Sequence, residues 1–350
     1  MFPVRWPFPS PRRLLTSLNL LRLLWLLLFF TIEHFLPRHA IRNCSWPLDR
    51  PRECQVAIIA DPQIVDENTY PRRGIAMWLT KVFTDRYMRR NWEYLMRQEP
   101  GTVIFLGDLM DGGREWEDDK YVPLHSAGLQ TDGRWFSEYR RFWTVFPYSE
   151  GTRVIPTVPG NHDIGLGDGI RVDRLDRFKK HFTDTNATSQ RLEICGFDMI
   201  LLDTPSLLNS VSAEIYDPTI QFLDKPRELK WGQGRLLFTH IPLYRPPTMD
   251  CGPNRESPLP IRVGAGHQYQ NTMTPQITSR ILDTLWPVQA VFTGDDHDYC
   301  AIQHELEGTR DFVPEYTVKS FSWAMVDSPS IRCLSLICRE SSILGINYFR

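Results

Sequence analysis

Along this chain, short unbroken apolar runs alternate with longer amphipathic stretches. Residues 103–106 form one such run, the pattern of a strand buried on both faces, and Gly107 breaks it to deliver Asp108 into a loop. The same event recurs. Residues 55–60 predict a strand ending at Asp61-Pro62-Gln63, and residues 153–158 one that runs into Gly160-Asn161-His162-Asp163. Residues 197–202 predict a further strand. Residues 235–239 predict one ending at His240, and 290–293 one ending at Gly294-Asp295-Asp296-His297. Helical spacing predicts helices over 75–97, 137–146, 172–182 and 277–286. In the first, Trp78, Leu79, Val82, Tyr87, Trp92 and Leu95 fall at inward positions. This alternation predicts an α/β fold with polar clusters at five strand ends, the edge at which open α/β sheets bind ligands.

The amino-terminal end follows another pattern. Residues 14–32 are apolar apart from a few positions that include Ser17, Asn19 and Arg22, and as a helix they span roughly 28 Å, about the thickness of a thin bilayer. Arg22 costs roughly 3 kcal/mol near the centre, against roughly 4 to 8 kcal/mol returned by the Leu, Ile and Phe side chains, so insertion is expected. The rival reading is a cleaved signal peptide. No small-x-small cleavage site follows Ile32, where the chain reads Glu33-His34-Phe35-Leu36-Pro37. Arg5, Arg12 and Arg13 precede the span, which predicts a cytosolic tail (1–13), a signal anchor (14–32), a lumenal linker (33–53), a lumenal domain (54–326) and a carboxyl-terminal tail (327–350). Two glycosylation sequons, at Asn43 and Asn186, lie on the expected lumenal side.

Composition narrows the picture further. The 350 residues carry a formal charge of −2, which gives no reason to expect a nucleic-acid partner. Seven cysteines without a Cys-x-x-Cys pair argue against a zinc ribbon or a thioredoxin-type motif, and an odd number leaves at least one thiol unpaired within the chain. In an oxidising lumen Cys44 and Cys54 are candidates to pair across the linker.

Taken singly, each polar cluster has a structural explanation: Asp61 before Pro62 forms turns, Asp108 or Asp111 caps a helix, and His240 is a hydrogen-bonded loop histidine. Together the clusters put Asp, Gln, Asp, Asn, His, Asp and His at one sheet edge. Oxygen donors with two imidazoles suit a two-metal hydrolytic site better than any capping scheme.

The order Asp-x-Gln, Gly-Asp-x-x-Asp, Gly-Asn-His-Asp, His, Gly-x-x-His resembles the calcineurin-like metallophosphoesterase superfamily. Asp61-Pro62-Gln63 and the run 294–300 are similar to its fungal Cdc-type and Ted-type branch, as are residues 240–245, 251–256, 268–271 and 318–322. The resemblance implies two facing β-sheets flanked by helices in a four-layer sandwich. It also implies an endoplasmic-reticulum phosphodiesterase that uses manganese to remove ethanolamine phosphate from a mannose of glycosylphosphatidylinositol (GPI) anchors. Carried over by residue, one of two divalent ions would take Asp61, Gln63 and His297, the other Asn161, His240 and Asp295, with Asp108 bridging. His162 matches the acid that assists the leaving oxygen, and Asp111 and Asp163 fit supporting roles that orient histidines. Arg245, Arg255, His267 and Tyr269, in the proline-rich stretch 242–274, are candidate substrate contacts. Cys300 and His304 are either further donors or ordinary buried residues.

Two departures from the commoner superfamily pattern stand out. Gln63 and Asp295 occupy positions where histidine is usual, an exchange this branch shares, and oxygen donors favour manganese, magnesium or ferrous iron over zinc. Relatives in the branch carry further membrane spans at the carboxyl end, whereas 328–350 has no apolar stretch of that length, so a truncated or alternatively spliced form is expected. Asp296 and Asp298 are either a counter-charge for an ethanolamine ammonium or a solvated acidic loop. Two alternatives remain open at this point: a lumenal phosphomonoesterase acting on proteins or nucleotides, and a non-catalytic scaffold of the same fold.

Overall fold

The computed structural model describes residues 16–35, 38–39, 46, 51–117, 133–148, 150–225, 227–266, 268–306 and 311–322, together with the backbone of 332–336 and 343–348. It divides into two units, 1–45 and 46–350.

In the first unit, Ser17–Phe30 is an α-helix that continues as a π-helical turn over Thr31–Phe35. Thr16 caps it, its hydroxyl accepting from the Asn19 N–H, so the helix starts and stops three residues later than the apolar pattern alone suggests. Ser17–Phe35 is long and apolar enough to cross a membrane, and none of its residues is buried.

The second unit holds two sheets whose inner faces share one core. In the first, β1 (Gln55–Ile59), β2 (Thr102–Phe105) and β3 (Arg153–Ile155) run parallel, and with β12 (Arg332–Leu336) and β13 (Ile343–Tyr348) they take the order β13-β12-β1-β2-β3. The second has the order β10-β11-β9-β6-β5-β4. In it β5 (Phe197–Leu202), β6 (Arg235–Thr239), β9 (Ala290–Thr293) and β11 (Phe312–Thr317) are parallel, and β4 (Gln190–Ile194) and β10 (Cys300–Glu305) are antiparallel edges. The period-two alternation of a strand decides which side chain goes where. Val56, Ile58, Ile104 and Ile155 point into the space between the sheets, against Met199, Leu201, Leu236, Phe238 and Phe292. Their neighbours point outward: Phe105 packs on Trp92, Phe142 and Phe146, from the helices Gly74–Met96 and Arg134–Val145 and the end of the latter. On the other side, Leu202, Leu237 and Val291 meet Leu223, Ile281 and Leu285 from the helices Ala213–Leu223 and Pro275–Leu285. Helix, sheet, sheet and helix make four layers, the α/β arrangement the sequence predicts.

Several expectations need correction. The domain does not stop at 326: β12 (Arg332–Leu336) pairs antiparallel with β1, and β13 (Ile343–Tyr348) pairs with β12, inside the stretch read as a tail. Trp78, Leu79 and Val82 face outward, while Trp92 and Leu95 are buried as expected. Cys54 is joined to Cys195, not Cys44, and a second disulfide links Cys251 to Cys300. Cys44, Asn43 and His267 lie outside the described residues.

Candidate metal centre

The carboxyl ends of β1, β2, β6 and β9 converge, and each hands its polar residue to the same place. Asp61, Asp108 and His240 are fully or almost fully buried, and one ligand atom from each lies within 4.8 Å of the others. His240 Nδ1 is 2.8 Å from the Leu106 carbonyl, an acceptor, so that nitrogen carries the proton and Nε2 presents its lone pair to the cluster. Around Nε2 stand Asn161 Oδ1 at 3.1 Å, Asp108 Oδ1 at 3.4 Å and Asp295 Oδ1 at 3.5 Å. Gln63 reaches in from the loop after β1, its Nε2 donating to Asp108 Oδ2 at 2.7 Å.

Backbone conformation is part of the construction. Asp61, Gln63, Asp108, Asp295 and His297 all lie at positive φ, between 35° and 67°, where side chains other than glycine are uncommon. Each such residue costs on the order of 1 to 3 kcal/mol, and strain of this kind collects at functional sites. The strands need these turns because an extended continuation would carry each donor past the edge. Gly107 and Gly160 allow the close approach of the loops: a Cβ on Gly107 would meet Gly160 N and His240 Nδ1, and one on Gly160 would collide with Asp108.

The loops are locked by contacts that composition does not announce. Among the described residues Asp163 bonds no histidine; it accepts from Leu109 N–H, Met110 N–H and Gly160 N–H at 2.9 to 3.1 Å, clamping the Asp108 loop to the Asn161 loop. Ser320 Oγ donates to the Asp61 carbonyl at 2.7 Å and Ser320 N–H to the His297 carbonyl at 2.9 Å. Gln268, itself at φ 61°, accepts from Asn161 Nδ2 through its carbonyl at 2.9 Å and ties its own side chain to Leu166 N–H and Gly169 O. Both lie in runs that carried the family resemblance, but neither has a side-chain type that marks it as a support.

No protein-family profile matches the chain. It is 36% identical over 330 residues to Cell division control protein 1 of Saccharomyces cerevisiae, an alignment covering 91% of this chain and 64% of the yeast protein. Metallophosphoesterase 1 of Xenopus laevis is 28% identical over 91% of this chain and 80% of its own length. The Metallophosphoesterase 1 homolog of Caenorhabditis elegans is 26% identical over 91% and 81%. The chain belongs to the calcineurin-like metallophosphoesterases. It spans a little under two thirds of the yeast relative's length.

In this metallophosphoesterase the residues present fit divalent cations, and the structure itself supplies the test. Asp61 Oδ2 and Gln63 Oε1 are buried without a hydrogen-bond partner. In the neutral imidazole, with Nδ1 committed to Leu106, His240 Nε2 and Asn161 Oδ1 would face each other as two acceptors. Without a cation the cluster must borrow protons. Burial opposes a charge on His240, yet the carboxylates of Asp108, Asp61 and Asp295 hold its pKa well above the ordinary value. Burial raises Asp61 well above its usual range, with His240 only partly opposing. Burial also pushes Asp108 upward, but His240 and His162 outweigh it and leave the group lowered. Burial lowers His297, which Asp108 and Asp295 only partly offset. Burial and the Asp108 charge push Asp163 up to about 7.

His162 stands at the mouth. Its backbone N–H donates to Asp108 Oδ1 at 2.8 Å, and its Nδ1 lies 2.7 Å from the Asp111 carbonyl and 3.3 Å from Asp111 Oδ1. Nε2 is left toward a cleft of about 610 Å³ lined by Asn68, Thr69, Tyr70, Asp111, Arg114 and Glu115. Among the described residues Asp111 caps no helix, and its carbonyl and carboxylate both lie against this imidazole.

The expected substrate contacts separate. Tyr269, about half exposed on the small hairpin of β7 (Ala265–Gly266) and β8 (Tyr269–Gln270), follows the residue that anchors Asn161 and so stands at the rim. Arg255 pairs with Asp296, and Asp298 accepts from Glu256 N–H and Ser257 N–H, so neither acid is free for an ammonium. Arg245 is buried and pairs with Glu315 at 2.5 Å. It borders a larger cavity of about 960 Å³ that contains none of the donor residues. Cys300 is committed to its disulfide, and His304 bonds Glu315. Asn186 is exposed in a turn, while the Thr188 hydroxyl of its sequon donates to Asp203.

Proposed function

We propose that this chain is a membrane-anchored, lumenal, dinuclear phosphodiesterase that removes ethanolamine phosphate from a mannose of GPI anchors. What carries the hydrolytic reading is the buried donor set, with its unpartnered Asp61 and Gln63 oxygens. Asp61, Gln63 and His297 would hold one cation, Asn161, His240 and Asp295 the other, and Asp108 both. Manganese suits a set rich in oxygen donors. When bound, such cations polarise phosphoryl oxygens and acidify a water toward a pKa of about 7. His162, with Nδ1 fixed by Asp111, keeps Nε2 available to give a proton to the leaving sugar oxygen. Tyr269, next to the residue that anchors Asn161, would meet the glycan.

The substrate class rests on the family resemblance, and on Asp295, whose charge disfavours dianionic monoesters. The lumenal side is supported by the Arg5, Arg12 and Arg13 cluster and by two disulfides, which persist in oxidising compartments. Purified full-length protein supplied with manganese and a phosphoethanolamine-bearing mannose glycan should release ethanolamine phosphate. Asp108→Asn should reduce turnover by more than about 100-fold, since losing a bridging ligand exceeds the loss typical of an outer-shell partner. Release of inorganic phosphate from monoesters, with the diester untouched, would point to a phosphomonoesterase; absence of bound metal would point to a scaffold. Protease added to intact microsomes should spare residues 54–326, and their digestion would refute the orientation.

A further inference from the structure

The Gly74–Met96 helix is apolar on two opposite sides. Met77, Met88, Trp92 and Leu95 are buried against the domain. On the other side Ile75, Trp78, Leu79, Val82 and Phe83 are 76, 61, 39, 40 and 58% exposed. At 100° per residue these five fall within an arc of about 140°, as wide as the face a surface helix normally buries. An exposed apolar stripe of this size marks an interaction site.

We propose that this helix lies on a phospholipid bilayer, its first half in the boundary between headgroups and acyl chains. The surrounding charge selects that occupant. Arg72 and Arg73 precede the helix and Arg86 continues its exposed face, all three exposed; farther along that face Arg89 is paired with Glu93. Apolar residues bracketed by arginines match the depth profile of a membrane surface, with anionic headgroups above and acyl chains below. Of the nearby acids, Asp85 is held by Arg141 and Lys81 pairs with Glu67 and Glu138, so no acid within the stripe opposes the approach. The chain also carries its own membrane-length helix, Ser17–Phe35, with only residues 36–54 before β1, which keeps the domain near a bilayer. Asn68, Thr69 and Tyr70 line the cleft beside His162, and the helix starts four residues after Tyr70. Docking would therefore hold the cleft at the level where a lipid-borne phosphodiester presents its headgroup. That last step rests on the proposed hydrolytic activity; the docking shares with the proposed function only the membrane anchor.

The test uses full-length protein reconstituted in phosphatidylcholine–phosphatidylserine vesicles containing a diazirine phospholipid. Irradiation should attach lipid to Ser17–Phe35 and also to residues 75–83. The second set should be lost in a Trp78→Glu, Phe83→Glu variant whose melting temperature and anchor labelling match the wild type. Labelling confined to the anchor in the wild type would overturn the proposal, and protein–protein crosslinks joining 75–83 of two copies would replace the bilayer with a second chain. Hydrolysis of a soluble phosphodiester, which needs no surface, reads the chemistry separately: its absence would sink the phosphodiesterase reading and leave the docking standing.

Discussion

Asp295 adds a third carboxylate to a cluster where the commoner superfamily pattern has two. Its N–H donates to Asp61 Oδ1 at 3.1 Å and its Oδ1 lies 3.5 Å from His240 Nε2, so its charge is felt throughout the centre. Two aspartates, two divalent cations and a hydroxide sum formally to roughly +1, and Asp295 brings that sum to about zero. At a few ångströms and an effective dielectric of about 20, one charge is worth on the order of 4 kcal/mol before screening, and a dianionic monoester loses about twice as much as a monoanionic diester. Asp295→His should therefore raise kcat/KM for monoesters relative to diesters by about tenfold or more, a difference of ~1.4 kcal/mol. Parallel assays on a matched pair of esters decide it; an unchanged ratio in a variant that still binds two metals refutes it. The cluster of Asp61, Asp108 and His240 is legible in the sequence because each follows an apolar run, so strand and polar end announce one another. Ser320 and Gln268 are not, since they act through a hydroxyl, a backbone carbonyl and an amide that any loop position carries. Arg245 misled for a simple reason: an arginine in a proline-rich loop reads as exposed, and only the tertiary fold reveals that Glu315 awaits it.

The strand β11 shows how an element supports a site it does not enter. Buried Glu315 takes Arg245 Nη2 and His304 Nε2 at 2.5 Å, and Thr293 Oγ1 and Leu243 N–H at 3.2 Å, tying β11 to the end of β9 just ahead of Asp295. Burial raises the Glu315 pKa, but Arg245 and His304 outweigh it, and the net position is below the ordinary value of 4.5. A carboxyl depressed on folding contributes stability above its unfolded pKa and loses it as the pH falls through the folded one. Wild-type melting temperature should therefore decline below pH 4.5 more steeply than that of Glu315→Gln. At neutral pH the variant should be destabilised by about 3 to 5 kcal/mol, because Arg245 is left buried without its counter-charge. Denaturant melts across the acid range measure both effects, and parallel pH dependences would exclude Glu315 as the source. β1, β2, β6 and β9 could be read from sequence because they are unbroken and apolar. β10 and β11 could not, since their alternating burial admits Gln303, Glu305 and Pro314 at partly or fully exposed positions. The helix Gly74–Met96 lies where helical spacing predicts it, but its first half turns the other way, because two apolar faces give periodicity no direction.

At the level of the whole chain, the sandwich follows from strands that are apolar on both sides, whereas the closing of its first sheet by β12 and β13 depends on pairing across nearly the full sequence, which no local pattern contains. The bond between Cys54 and Cys195 crosses about half that distance, 141 positions, at the entry to β1 and the turn between β4 and β5. It makes residues 54–195, which contain Asp61, Gln63, Asp108, Asn161 and His162, a closed covalent loop. A single peptide cut inside a closed loop opens it without releasing a piece. Limited proteolysis within this region should yield protein that migrates as one chain without reductant and as two fragments with it; fragments separating without reductant would show the loop to be open. The chain behaves in this respect as a large ring with a second, smaller ring, 251–300, on the carboxyl-terminal side, and the part of the centre lying on either ring cannot be shed by one break within it.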